Sequence, residues 1–281
     1  MILDDNFFAN KLIVSTRRIK MSMTKKNKPA LKVTIFNGSP KGRKSNTGII
    51  VDCLSQGMIE AGATVEKVYL SEFNIKQCCG CMLCFTLHPG KCVIIDDMKP
   101  LLSKYASSDL IGLATPLYNE NMTGLMKNFI DRTLPLVNCH IENDESGNFY
   151  HNRLGKKEQR MFVVSNCGLP GENNFRMLKE FLGRYNPIAG IYRSAGMALL
   201  ADGGDVKIYG KRIISRIRRY KKDLLKSGRE IIKKGSISPK LMMRLEEPLE
   251  DDSMIMERTN QYFEKIGEES KSGIKRADLL G

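Results

Sequence analysis

The chain has 281 residues, of which 42% are hydrophobic, and it carries a formal net charge of +14. This length and apolar content are typical of a globular protein with a buried core. No apolar run approaches the roughly 18 to 20 residues that a membrane-spanning helix needs, so we expect a soluble protein. The charge raises the possibility of a polyanionic partner, and its position along the chain matters more than its sum.

Residues 1–30 show no secretory signal. The short apolar piece at 7–14 is interrupted by Asn10 and Lys11, and no small-residue cleavage site follows it. We therefore expect a disordered or misassigned extension over 1–30 and a cytoplasmic protein whose thiols stay reduced.

The ordered body is expected to begin with a buried strand at residues 31–36, followed by a polar loop at 37–47 and a helix with apolar residues at helical spacing. Glycine in the loop lets backbone amides turn inward, and the start of a helix favours an anion. The loop has neither the order of a nucleotidase phosphate loop nor that of a dinucleotide-binding turn. This order of elements predicts a phosphate site of another kind.

Five of the eight cysteines stand close together in the next loop. Cys78, Cys81, Cys84 and Cys92 follow the pattern Cys-x2-Cys-x2-Cys-x7-Cys, with Cys79 outside it. Four soft ligands on one loop indicate a metal site, and the compact spacing favours an iron–sulfur cluster over zinc. Zinc and free thiols remain as alternatives.

Strands and helices then alternate along the chain, which indicates a parallel sheet with helices on both faces. Further strands are predicted at 64–70, 110–114, 161–165 and 191–200, and helices at 98–105, 122–134 and 175–185. In such sheets a ligand binds beyond the carboxyl ends of the strands. The polar loops at 37–47, 115–119 and 166–171 all follow strands, so we expect them to form one pocket.

Four motifs in this order resemble the flavodoxin-like NAD(P)H-dependent FMN reductase family, and within it most closely the iron-sulfur flavoproteins. They are Gly38-Ser39-Pro40 with Ser45-Asn46-Thr47, the cysteine loop ending in Asp96-Asp97-Met98, Thr115-Pro116-Leu117-Tyr118, and Lys127-Asn128-Phe129-Ile130-Asp131-Arg132. The resemblance covers about residues 31–200. It implies an α/β, flavodoxin-like, doubly wound parallel sheet of five strands in the order 2-1-3-4-5, which binds FMN and often assembles as a homodimer or homotetramer.

The resemblance also implies roles for residues at matching positions. The FMN phosphate would be held by Ser39, Lys41, Ser45, Asn46 and Thr47. The isoalloxazine ring would be lined by Pro116, Leu117, Tyr118 and Asn119 and closed on its other edge by Asn166 and Gly168. A [4Fe–4S] cluster would take Cys78, Cys81, Cys84 and Cys92 as ligands. We assign no catalytic acid or base, because His88, His140 and His151 show no catalytic spacing.

Residues 205–281 form the third predicted segment, after the extension at 1–30 and an FMN-binding domain at 31–204. A basic amphipathic helix is predicted here, with Ile213, Ile217, Tyr220, Leu224 and Ile231 on one apolar stripe. We expect the stripe to pack on the domain or on a second subunit. The apolar stripe favours packing against protein over binding to nucleic acid or a membrane surface.

The predicted function is that of an FMN-dependent oxidoreductase that takes hydride from NAD(P)H and passes electrons to an acceptor, through a [4Fe–4S] cluster where one is present. The flavin supplies the chemistry in such an enzyme, which explains why no acid–base constellation is visible. The alternative is a non-enzymatic carrier that accepts electrons from a ferredoxin-like partner. A basic nucleic-acid-binding protein with this fold is the third hypothesis.

Overall fold

A computed structural model of the chain describes residues 29–145, 147–155, 159–197, 199 and 206–271. The extension expected over 1–30 lies outside these ranges except for its last two residues. The domain boundary expected after Gly204 lies outside them as well.

Five parallel strands form the central sheet. In chain order the strands of the described residues are β1 (Lys32–Asn37), β2 (Thr64–Tyr69), β3 (Leu110–Pro116), β4 (Val137–Asn143), β5 (Phe149–Arg153), β6 (Arg160–Asn166) and β7 (Ala189–Arg193). The sheet has the order β2-β1-β3-β6-β7, while β4 and β5 form a separate antiparallel hairpin. When the hairpin is set aside, this is the predicted order 2-1-3-4-5.

Two features of the strands differ from the prediction. The hairpin was not predicted. Residues 137–142 of β4 alternate apolar and polar side chains, but β5 does not, and both strands are largely exposed. The fifth strand was expected at 191–200 but ends at Arg193. Ala195 has a φ of 52°, a left-handed conformation that an extended strand excludes.

Helices cover both faces of the sheet, as the alternation of elements predicts. They are α1 (Asn46–Glu60), α2 (Met98–Ser107), α3 (Gly124–Asp131), α4 (Arg176–Gly183), α5 (Val206–Lys234), α6 (Pro239–Glu246) and α7 (Asp252–Lys271). One core lies between the sheet and α1, α5 and α6, and the other between the sheet and α2, α3 and α4. Within the described ranges, no helix has the length and apolar character needed to cross a membrane.

The long basic helix α5 packs on α1 of the same chain, which is the first of the two arrangements expected for its apolar stripe. Ile217 and Leu224 are fully buried there. Two glycines bring the helix backbones into contact: a Cβ atom on Gly57 would lie 1.9 Å from the Leu225 carbonyl oxygen, and one on Gly228 would lie 2.1 Å from that of Leu54. Helices α5 and α6 are therefore part of the core of the protein.

This contact gives a first testable prediction, for Gly57→Ala. The added methyl group meets backbone that cannot turn aside, and overpacking of this kind costs about 1–3 kcal/mol. That cost exceeds the gain in helix propensity, which is up to about 1 kcal/mol. Urea unfolding should show reduced stability. Gly267→Ala is the matched control, since no heavy atom lies within 4 Å of its added Cβ atom, and equal stability changes in the two variants would contradict the close contact.

Candidate flavin and cysteine sites

The three polar loops predicted to converge do meet at the carboxyl edge of the sheet. Thr123 donates its hydroxyl hydrogen to the carbonyl of Gly38 over 2.7 Å, and its amide donates to the Thr115 hydroxyl over 3.1 Å. The amide of Leu117 donates to the carbonyl of Asn166 over 2.8 Å. These bonds fix the loop after β1, the loop after β3 and the end of β6 relative to one another.

Ser45 holds the start of α1. Its hydroxyl donates to the Gly42 carbonyl over 2.7 Å and accepts the amide hydrogen of Gly48 over 2.9 Å. These are the bonds of a helix N-cap, and they already use the hydroxyl hydrogen. Ser45 therefore shapes the phosphate loop predicted at 37–47, whereas the resemblance gave it a direct contact with phosphate.

Thr47 connects the phosphate loop to the far edge of the expected flavin ring. Its side chain is buried and donates to the Asn166 side-chain oxygen over 2.6 Å. Ser39 is also buried, and its amide donates to the Asn37 side-chain oxygen over 2.9 Å. Lys41 is exposed beside them. The structure thus brings Thr47 and Asn166 together, although the sequence places them in separate loops.

The loop after β3 presents an exposed aromatic ring. Pro116 is buried and Leu117 half-buried, while Tyr118 is 49% exposed. The Tyr118 amide donates to the Asn121 carbonyl over 2.8 Å, and the Asn121 amide donates to the Tyr118 carbonyl over 3.1 Å. The two residues between them, Asn119 and Glu120, have φ angles of 49° and 62°. Both central residues of this tight turn are left-handed, which fixes the direction of the loop. Asn119 therefore shapes this turn. Gly168, the remaining residue expected near the ring, lies half-buried in the loop after β6.

Unpaired polar atoms in this region test whether a flavin phosphate fits. The Asn37 side-chain nitrogen, the Asn46 side-chain oxygen and the Ser165 hydroxyl are buried and have no hydrogen-bond partner within the described ranges. Most buried polar groups in proteins are paired, and the first amides of a helix such as α1 have no acceptor within the helix. The loop therefore has spare polar groups and helix amides, and the residues fit a group that carries phosphate.

Cys167, beside this site, is not a reactive thiol. Its side chain is buried and donates to the Leu169 carbonyl over 3.3 Å. Burial raises the pKa of the Cys167 thiol to about 11, so it stays protonated at neutral pH.

The five clustered cysteines line one small cleft that opens to solvent. Its other wall includes Arg132, at the end of α3, and Pro135. The loop turns tightly here through Gly80 and Met82, which have φ angles of 64° and 57°. The cleft gathers thiols from residues 78 to 92 around one space.

The pKa of the Cys84 thiol reports which cysteines are its neighbours. Burial raises this pKa first, and the thiols of Cys92, Cys81 and Cys78 raise it further. Together with Cys84 itself, these are the four predicted ligands. Within the described ranges no three metal-binding side chains are grouped closely enough for a single ion. Four thiols around one cleft are the donor set of an iron–sulfur cluster, so the residues fit that group.

A buried ion pair closes the cysteine loop. Arg132 and Asp96 have side chains 1% and 0% exposed, and two guanidinium nitrogens donate to the carboxylate over 2.6 and 3.0 Å. Burial alone would raise the pKa of Asp96, but Arg132 and the amides of Lys76 and Met98 hold it below its usual value. The carboxylate also accepts the Met98 amide hydrogen at the start of α2 over 3.0 Å, but its main partner is Arg132.

Helix α3 joins the two sites. It begins after Thr123, which is bonded to the loops at the carboxyl edge, and it ends next to Arg132 in the wall of the cysteine cleft. Its eight residues span about 12 Å. The sequence did not predict this arrangement, although the end of α3 belongs to the motif at 127–132.

Part of the chain is similar to known FMN reductases and iron-sulfur flavoproteins. Residues 31–147 match the model of the family described as NADPH-dependent FMN reductase. An iron-sulfur flavoprotein of Archaeoglobus fulgidus is 35% identical over 103 residues, which make up 37% of this chain and 49% of the relative. One from Methanocaldococcus jannaschii is 32% identical over 118 residues, 42% of this chain and 60% of the relative. The chain spans about half the length of the curated relatives it matches.

Solved structures show the same fold. An FMN-dependent NADH-azoreductase from Bacillus anthracis, in complex with FMN, has a TM-score of 0.50 and 15% identity, covering 72% of this chain and 99% of the other. An NAD(P)H:quinone oxidoreductase from Methanothermobacter marburgensis gives the same TM-score and identity, covering 72% and 97%. These likenesses confirm the flavodoxin-like fold. Residues 31–147 are therefore similar to the NADPH-dependent FMN reductases, and part of the chain is similar to the iron-sulfur flavoproteins, as its motifs predict.

Proposed function

We propose that this chain is an FMN-dependent oxidoreductase that takes hydride from NADH or NADPH and passes electrons on through a [4Fe–4S] cluster. The observation that carries the proposal is the connection of two sites by one short helix: the loops at the carboxyl edge lie at one end of α3 and the cysteine cleft at the other. The match to the FMN reductase family supports the first site. The names of the relatives support the second.

The flavin, when bound, would accept hydride at its ring. The first turn of α1 would hold the phosphate, because helix amides donate to an anion. Thr47 would keep this turn in place through its hydrogen bond to Asn166. Pro116, Leu117 and Tyr118 would lie against the ring and exclude water from one face. Asn166, which accepts a hydrogen bond from Thr47, would contact the opposite edge of the ring.

The cluster, when bound, would carry one electron at a time. Cys78, Cys81, Cys84 and Cys92 would supply its thiolates, and the loop that bears them is held closed at its base. A loop of reduced thiols suits the cytoplasm, which we propose as the compartment.

We also propose that the chain assembles as a homodimer or homotetramer. Large apolar side chains are exposed on the β4–β5 hairpin, at Ile141 and Phe149, and on α7, at Met256 and Phe263. Exposed apolar groups in such numbers support an interface with a second copy.

Flavin binding is tested by Thr47→Ala. The change removes the hydrogen bond to Asn166 that keeps the first turn of α1 in place. Each hydrogen bond from that turn to a charged group is worth about 1.5–3 kcal/mol, so the dissociation constant for FMN should rise at least tenfold. Riboflavin lacks the phosphate, and its affinity should change little. Fluorescence titration of the cofactor-free protein with both flavins measures this difference.

Thr47→Ser is the matched control, because it keeps the hydroxyl and should keep most of the FMN affinity. Equal weakening of FMN and riboflavin in Thr47→Ala would place the phosphate elsewhere. Steady oxidation of NADH or NADPH by the FMN-loaded protein then tests the enzyme. Failure to oxidise either nicotinamide, with flavin bound, would contradict the enzyme and favour the electron carrier.

A further inference from the structure

Arg132 has more hydrogen-bond donors facing the cysteine cleft than its partner carboxylate uses. One terminal nitrogen donates to Asp96 and to the Lys76 carbonyl, each over 2.6 Å. The other donates to Asp96 over 3.0 Å and to the sulfur of Cys92 over 3.5 Å. The inner nitrogen, Nε, is buried and has no partner among the described residues.

These contacts span the whole cysteine loop. Lys76 lies two residues before Cys78, and its amide donates to Asp96 over 2.9 Å, while Asp96 lies four residues after Cys92. Arg132 is thus bonded to both ends of the segment that carries the thiols. Of the described arginines, it alone lines the cleft.

We propose that Arg132 is a positioning residue for the cluster: it holds the base of the cysteine loop and donates hydrogen bonds to the sulfur of Cys92 and, through Nε, to a further sulfur of the bound group. This inference rests on the proposed cluster. The ion pair with Asp96 fixes the guanidinium plane, which orients the two remaining donors towards the cleft.

The physical consequence is a higher reduction potential. A cluster that gains an electron becomes more negative, and donors aimed at its sulfurs stabilise that state more than the oxidised one. A guanidinium presents its donors in a rigid fork, whereas a lysine ammonium on a flexible stem does not reproduce it. Replacing Arg132 by Lys keeps the charge and removes the geometry.

The test measures iron content and cluster midpoint potential in Arg132→Lys and in the wild-type protein, both prepared anaerobically. We expect either a midpoint potential shifted to more negative values with iron retained, or loss of at least half the iron with FMN content and circular dichroism unchanged. Lys127→Arg is the matched control, because it is a basic exchange on the same helix at an exposed side chain. It should leave iron and potential unchanged.

Pulsed electron paramagnetic resonance on wild-type protein labelled with ¹⁵N-arginine covers the case in which Arg132→Lys does not fold. We expect a guanidinium nitrogen coupling in the reduced cluster. Absence of this coupling, or wild-type iron and potential in Arg132→Lys, would overturn the role of Arg132 while leaving the cluster in place. A wild-type protein without iron would overturn both proposals.

Discussion

Asp96→Asn should lower the free energy of unfolding by about 3–5 kcal/mol, because it leaves the Arg132 guanidinium buried without its counter-charge. Both side chains are inaccessible to solvent, so water cannot compensate. Asn keeps an acceptor for one hydrogen bond but removes the charge that offsets the burial of Arg132. Urea unfolding of the full-length, cofactor-free chain measures the loss.

The neighbouring acid provides the control. Asp97 is exposed and accepts one hydrogen bond, from the Asn74 amide over 2.7 Å, so Asp97→Asn should cost less than about 1 kcal/mol. Equal losses in the two variants would show that the Arg132 pair is not the source of the effect.

The pH dependence of this pair has a definite sign. The pKa of Asp96 is lower in the folded protein than its usual value of 3.8, so the unfolded chain binds the proton more readily. The contribution to stability is complete above that value and is lost as pH falls towards the folded pKa. Asp96→Asn should therefore show a flatter decline of stability in acid than the wild-type protein.

The second large effect concerns the cysteines. Replacing Cys78, Cys81, Cys84 or Cys92 by Ser should each remove most of the iron, since each thiolate would bind one corner of the cluster. Cys79→Ser should leave iron nearly intact, because Cys79 lies outside the repeated spacing. Iron per flavin, measured after anaerobic preparation, separates the five variants.

FMN content should survive all five changes, because the phosphate and ring contacts come from other loops. Reduction of a one-electron dye should slow in the four ligand variants and not in Cys79→Ser. Loss of iron in Cys79→Ser equal to that in Cys84→Ser would contradict the ligand assignment.

Periodicity and turn residues were enough to predict a parallel sheet with helices on both faces, and the family resemblance implied its strand order. A buried parallel strand such as β3 is a continuous apolar run between polar loops, and this pattern is visible without a structure. The β4–β5 hairpin was missed because β5 does not alternate apolar and polar residues as β4 does, and because both strands are largely exposed. The fifth strand was placed too late, because the left-handed turn at Ala195 leaves no mark in the apolar pattern.

The sequence predicted where along the chain the candidate site residues lie, but it did not predict the hydrogen bonds that connect them. Spacing identified the four cysteines, and the resemblance identified the flavin loops. The hydrogen bond between Thr47 and Asn166 joins residues 119 positions apart, and the ion pair of Arg132 and Asp96 joins residues 36 positions apart. Long-range pairs of this kind depend on the packing of α1 and α3 on the sheet. One sequence, read alone, contains no direct record of them.

The most direct test of the central claim, that one chain holds both a flavin and a cluster, is chemical analysis of the wild-type protein prepared anaerobically. Iron, acid-labile sulfide, zinc and FMN are measured together with the absorption spectrum. The account predicts about four irons and four sulfides per chain, one FMN, and a broad shoulder near ~400 nm beneath the flavin bands. Flavin bands without iron, or one zinc in place of iron, would contradict it.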